Sequence, residues 1–454
     1  YGDHRDLHKA IRRQRHVYKR QENILKTLCD DDINRRDNVA YFVKMLNSLS
    51  RPISIAVDSP WGSGKTFFVK QVKLVLDAYN TNVELGNNVR ESVKETMASY
   101  FAETEIKPFY SVYYDAWLND NDIDPIQSLL FSITGAYQHF NKSFIHDKKH
   151  LIVLGKNIIN LCSGSSLGNF LELLESDNVL NDEKKSKDLY ENVKSYLSEL
   201  NQGNPVIIFV DELDRCKPTY AVKLLERIKH YFNCPNVIFV FSLNEAELIH
   251  TIQNMYGSGF DAGGYLNRFF EVPIQLPPPK LDVVLFKHVM PNHTYFEETV
   301  RNTITKLNMQ LREIAHYVAM IDLLRSRVID KASKVYVGDS KAYLFCLNIM
   351  IPIMIGIKVA LPSKYPSFTN GQEEELFISL IDGMQMRNMW PYLSDTEITD
   401  ETVIKQRLKR QYRILFANSL PGAGNEMAEH INVNQTLKQI LFKSTSLLSE
   451  FSAF

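Results

Sequence analysis

Asp58-Ser-Pro-Trp-Gly-Ser-Gly-Lys-Thr-Phe-Phe68 decides how this chain is read. Its Gly64-Lys65-Thr66 end fits the phosphate-loop pattern G-x-x-x-x-G-K-[ST], but Ser59 stands where the pattern asks for its first glycine. Holding a nucleoside triphosphate takes backbone N–H groups around the phosphates, a cation at the β and γ phosphates and a hydroxyl for Mg²⁺. Gly62 and Gly64 permit the backbone approach, Lys65 supplies the charge and Thr66 the hydroxyl. Ser59, Pro60, Trp61, Gly62, Ser63, Gly64, Lys65, Thr66 and Phe67 are therefore the candidate nucleotide-binding loop. The first glycine mainly eases the exit from the preceding strand, so a serine serves there if its φ is negative.

Such a loop needs a strand before it and a helix after it. Ile53-Ser-Ile-Ala-Val57 reads as a buried strand, and Phe67 to Leu76 as a largely apolar helix. Upstream, Val39, Phe42, Val43 and Leu46 share one helical face. Downstream, Phe109 to Tyr114 reads as a second strand, and Asp124-Pro125 as the N-cap and first residue of a helix carrying Ile126, Leu129 and Leu130. Val206-Ile-Ile-Phe-Val210 and Val237 to Ser242 are continuous apolar runs separated by a helix from Tyr220 to Phe232. Runs of this kind indicate a parallel sheet covered on both faces, an α/β three-layer fold.

The strand 206–210 delivers Asp211 and Glu212 at its carboxyl end, where open α/β sheets bind ligands. Asp211 with Thr66 would hold Mg²⁺, and Glu212 would orient or deprotonate the attacking water. Asn244, just past the next strand, sits where an amide could contact the γ phosphate or that water. Arg268 and Arg312 could each offset transition-state charge, within the chain or from a neighbouring subunit.

The whole chain has 454 residues, more than one hydrophobic core usually serves, and a formal net charge of -1 that commits it to no nucleic acid or acidic membrane. Three regions are expected: a basic helical segment over 1–29, a nucleotide core over 30–278 with a helical insertion at about 140–205, and an α-helical lid and partner-binding region over 279–454. The basic runs 9–20 and 405–413 are candidate nucleic-acid contacts, although the acids Asp395, Glu397, Asp400 and Glu401 favour an ion-pair face for the second. Gly422-Ala-Gly424 has no preceding strand and no following Lys-Thr and is read as a loop. No signal-peptide pattern opens the sequence, and the five scattered cysteines form no C-x-x-C, which suits a cytoplasmic protein. The most apolar run, 342–357, is shorter than the roughly 20 residues of a membrane span and contains Asn348 and Pro352, so a buried helix is expected and no integral span.

Several segments together resemble the KAP family of P-loop NTPases: Trp61-Gly-Ser-Gly-Lys-Thr66, Tyr114-Asp-Ala-Trp117, Asp211-Glu-Leu-Asp-Arg-Cys216, Tyr265-Leu-Asn-Arg-Phe-Phe270 and Leu311-Arg-Glu-Ile314. The resemblance spans roughly residues 30–330. It implies ATP hydrolysis with Mg²⁺, Glu212 as catalytic acid and Arg312 as a sensor arginine. The membrane hairpin of many relatives is missing between the two motifs, as in a soluble member. Action in a homo-oligomer or protein complex is expected, and the resemblance extends to relatives serving in phage exclusion or antiviral defence. Two alternatives stay open: an ATP-gated scaffold or sensor with little hydrolysis, and a nucleic-acid-associated NTPase. A small-molecule kinase ranks behind them, since Asp-Glu-Leu-Asp-Arg does not resemble one.

Overall fold

A computed structural model of the chain describes residues 23–137, 191–197, 204–278, 295–324 and 340–416, apart from 32, 123, 192, 233, 385–388, 390 and 395. The basic run 9–20, most of the expected insertion and Gly422-Ala-Gly424 lie outside the described residues. The chain divides into two compact units, Tyr1–Pro279 and Lys280–Phe454.

The apolar runs become parallel strands. In the first unit these are β1 (Ile53–Asp58), β2 (Tyr110–Asp115), β3 (Val206–Asp211), β4 (Val237–Leu243) and β5 (Val272–Gln275). Their order across the sheet is β2-β3-β4-β1-β5, and every neighbouring pair is parallel. Each position of β3 and β4 is buried, so both faces of the sheet must be covered.

Alternate strand residues feed two cores, as the two-residue period of a strand requires. Ile55, Val57, Ile207, Phe209 and Val240 join one core with α1 (Arg36–Ser48), α2 (Lys65–Tyr79) and α3 (Asn87–Phe101). Ala56, Val112, Ile208, Val210, Phe239 and Phe241 join the other. There they meet α4 (Pro125–Tyr137), α5 (Pro218–Tyr231), α6 (Glu245–Tyr256) and the short α7 (Ala262–Leu266). The expected start of α4 is real: Ile126 N–H donates to Asp124 Oδ1 at 3.0 Å. β4 lies between the loop-bearing β1 and the acid-bearing β3, so the carboxyl ends of all three converge on one edge.

Among its described residues the second unit is built from helices: α8 (Tyr295–Lys306), α9 (Leu311–Leu324), α10 (Ser340–Phe345), α11 (Ile351–Ala360), α12 (Tyr365–Thr369), α13 (Glu374–Ile381) and α14 (Glu401–Phe416). A π-helical stretch, Cys346–Met350, joins α10 to α11. Among the described residues, Tyr343–Ala360 is the one helix apolar and long enough to cross a membrane, yet 61% of it is buried inside the chain. Ile353, Met354, Ile355 and Ile357 sit in a core shared with Val300 and Ile304 of α8 and Tyr317 of α9. Gly356 lets α8 approach, since a Cβ there would lie 2.3 Å from Thr303 Cγ2.

The basic run of α14 is an ion-pair face, but its acids come from elsewhere than the upstream residues. Lys405 pairs with Asp382 at 2.9 Å, Lys409 with Glu375 at 2.5 Å, and Arg413 with Glu374.

Candidate active site

β1 ends at Asp58, whose carboxylate gathers its neighbours. Oδ1 accepts from Glu245 N–H at 2.8 Å and Oδ2 from the Gln275 amide at 2.6 Å, tying the ends of β1 and β5 to the start of α6. The chain then turns into the loop, where Ser59 N–H donates to Leu243 O at 3.2 Å and the side chain is buried. Ser59 does not take a positive φ, whereas Gly62 and Gly64 do, at 81° and 92°. The loop has therefore kept glycine at the two positions whose backbone demands it, and Ser59 causes no strain.

α2 begins at Lys65, so its free N–H groups and positive dipole end face the loop. The Lys65 ammonium donates to the carbonyls of Ser59 and, at 3.0 Å, Pro60. Burial pushes its pKa down, and the nearby carboxylates of Asp214, Asp211, Asp58 and Glu212 pull it back up. Ser63 is buried with no partner for its hydroxyl, an unsatisfied polar group inside the loop.

β3 brings the acids to the same edge. Asp211 is buried; its Oδ2 accepts from the Tyr113 hydroxyl at 2.8 Å and its Oδ1 from Glu212 N–H at 3.1 Å. Tyr113 comes from β2, whose Asp115 is in register with Asp211. Burial, followed by the Asp211 charge, pushes the Tyr113 hydroxyl far up, so it stays a donor. Glu212 sits in the left-handed region at φ 61°, a conformation costing a non-glycine residue about 1–3 kcal/mol. Its Oε1 lies 3.5 Å from Thr66 Oγ1, and its Oε2 is paired with Arg215 Nε at 2.5 Å. Burial and then the Asp211 charge raise the Glu212 pKa, and Arg215 opposes them. Arg215 in turn lies over the Trp117 ring, 5.8 Å from its centroid.

Asp214, which sequence reasoning did not single out, joins three parts of the site. The acid is buried in the 3₁₀ turn Leu213–Arg215, accepts from the Trp61 indole N–H and lies beside the backbone N–H of Asn244. Burial pushes its carboxyl up. The one available signal was its place in Asp-Glu-Leu-Asp-Arg-Cys, which does not reveal where a turn points a side chain.

The loop, Thr66, Asp211, Glu212 and the backbone of Asn244 are thus brought together. The Asn244 side chain makes no capping bond at the start of α6. Arg268 is not brought to them: it is exposed at a cleft of about 250 Å³ lined by Pro52, Ile53 and Val237. These are the amino ends of β1 and β4, roughly 20 Å from the loop for a six-residue strand. Arg312 is exposed on α9 of the second unit.

Among the described residues no cluster of three or more His, Cys, Asp or Glu side chains could hold a metal alone. One hydroxyl and one carboxylate, Thr66 and Asp211, suit Mg²⁺ that also takes oxygens from phosphates and water. The left-handed glycines, the buried lysine and the unsatisfied Ser63 hydroxyl fit a bound triphosphate.

Comparison with known proteins agrees with this geometry. The sequence profile of the KAP family P-loop domain matches residues 35–328, more than half of the chain. No curated protein sequence matches it. Among solved structures, the ORC2 protein of Aeropyrum pernix in ADPNP–ADP complexes aligns over 93% of this chain and 94% of that one, at 10% identity and a TM-score of 0.28. A likeness so low bears on no residue or activity.

Proposed function

Because the chain belongs to the KAP family of P-loop NTPases, we propose that it binds ATP with Mg²⁺ and hydrolyses it, the cycle driving or timing a conformational change in an oligomer or larger complex. The observation carrying this reading is the meeting of Thr66, Asp211 and Glu212 at one sheet edge, beside a loop whose glycines are left-handed.

Each residue has a task in that reading. The loop N–H groups and Lys65 hold the β and γ phosphates. Thr66 and Asp211 would hold Mg²⁺, which would supply positive charge against the phosphates. Glu212 accepts a hydrogen bond from the attacking water, orients it and takes its proton. Its burial beside Asp211 raises its affinity for that proton, bringing it nearer neutrality, where a general base works best. Asn244, whose backbone N–H lies beside Asp214, would offer its amide to the γ phosphate or the water.

Glu212 favours turnover over a nucleotide-gated scaffold, since a pure switch can dispense with an acid that activates water. The test is phosphate release from purified full chain, wild type against Lys65→Ala. Lys65→Ala should abolish both nucleotide binding and release; an unchanged rate would overturn the site. Action in the cytoplasm, as part of an assembly serving antiviral defence, is proposed from family resemblance. Mass measurement with ATP and a phage-plaque assay comparing wild type with Lys65→Ala test it.

A further inference from the structure

Glu212 has two oxygens with different surroundings, and the difference has a source. Oε2 is paired with Arg215 Nε at 2.5 Å, while Oε1 faces the Thr66 hydroxyl at 3.5 Å. Both side chains of the pair are about a quarter exposed or less, so the pair is partly shielded from solvent. Arg215 is itself held: its backbone N–H donates to Glu212 O at 3.2 Å, and its guanidinium lies over the Trp117 ring, 5.8 Å from the centroid. One residue earlier in the same turn, Asp214 reaches the other way and fixes Trp61 of the phosphate loop. The turn Leu213–Arg215 thus sets the loop with one side chain and the acid with the next.

We propose that Arg215 is the positioning residue for Glu212, occupying one carboxylate oxygen so that the other is directed to the phosphate and metal side of the site. This rests on the ATPase reading and deepens it. A carboxylate with neither oxygen anchored rotates about its side-chain torsions, and displacement of a catalytic group by about 1 Å costs on the order of a hundredfold in rate. Arg215 acts through Glu212 and not by holding the nucleotide, so its loss should fall on turnover and spare affinity.

Steady-state phosphate release and equilibrium binding of a fluorescent ATP analogue are measured on the full chain, for wild type, Arg215→Ala, Arg215→Lys, Glu212→Gln and the double variant Arg215→Ala with Glu212→Gln. Arg215→Ala should lower kcat by about ten- to a hundredfold with KM and analogue affinity within about twofold of wild type. Arg215→Lys, which keeps a donor on a differently shaped head, should recover part of the loss. In the Glu212→Gln background, removing Arg215 should cost nothing further, because two residues acting as a unit are not additive. Multiplying losses in the double variant, a raised KM that accounts for the defect, or a kcat equal to or above wild type would each overturn the proposal while leaving the ATPase reading in place. A wild type that binds the analogue without turning ATP over would remove both. If Arg215→Ala fails to fold, Arg215→Lys and its double with Glu212→Gln carry the same comparison.

Discussion

Asp214 offers a perturbation whose size follows from its contacts. Asp214→Ala takes a carboxylate acceptor from the Trp61 indole and a carboxylate from beside the Asn244 backbone N–H. Hydrogen bonds to a charged group contribute about 1.5–3 kcal/mol each. Trp61 is 43% exposed, so its N–H finds water and its share falls to about 1 kcal/mol. Removing a buried carboxylate also relieves a desolvation cost, of about 1 kcal/mol after the remaining contacts are counted. With the contact to the Asn244 N–H taken at the same roughly 1.5–3 kcal/mol, the net loss should be about 1.5–3 kcal/mol, and about 1 kcal/mol for Asp214→Asn, which keeps an acceptor oxygen. Urea unfolding followed by Trp fluorescence measures both. The pH dependence gives a second check. Burial raises the folded pKa of Asp214, so the stability it contributes is complete below its ordinary value near 4 and is lost as pH rises through the folded value. Asp214→Asn does not titrate, so it should gain on wild type as pH climbs from about 4 to 7. A cost of less than about 1 kcal/mol for Asp214→Ala, or a variant that falls further behind as pH rises, would refute the assignment of these contacts.

Three further outcomes are expected. Ser59→Gly should leave nucleotide affinity within about twofold of wild type, because Ser59 already has an ordinary φ, and should lose about 0.5–1 kcal/mol of stability through the freer unfolded chain; isothermal titration and thermal melting read the two effects. Tyr113→Phe removes the 2.8 Å hydroxyl contact that orients Asp211, and the Mg²⁺ concentration for half-maximal phosphate release should rise about tenfold or more, as for other partners of metal ligands. Ile355→Ala, at a fully buried position of the helical core, should cost about 2–5 kcal/mol in urea unfolding; a cost near zero would mean that Tyr343–Ala360 does not pack as described.

The four longer strands were legible because each is dominated by apolar residues, interrupted by at most one serine before its carboxyl end. β5 was not, since Val272-Pro-Ile-Gln275 alternates in exposure and carries a proline, the marks of an edge strand. Strand order was equally hidden, because it depends on crossovers that no local pattern records. At the site, the loop and the Asp211-Glu212 pair could be read from chemistry at known spacing. Glu212 in a left-handed conformation, Tyr113 on Asp211 and the opposed reach of Asp214 and Arg215 could not, because each depends on how a backbone turn or a distant strand directs a side chain. The acids facing Lys405, Lys409 and Arg413 were sought nearby in sequence but come from the segment Glu374 to Asp382, a pairing set by helix packing.

Single-turnover phosphate release by Glu212→Gln, at saturating ATP and Mg²⁺, tests the central claim most directly. The account predicts that the variant binds ATP as tightly as wild type and releases phosphate at least about a hundredfold more slowly, since the amide cannot take the proton of the attacking water. Equal rates in the two proteins, with binding intact, would contradict it.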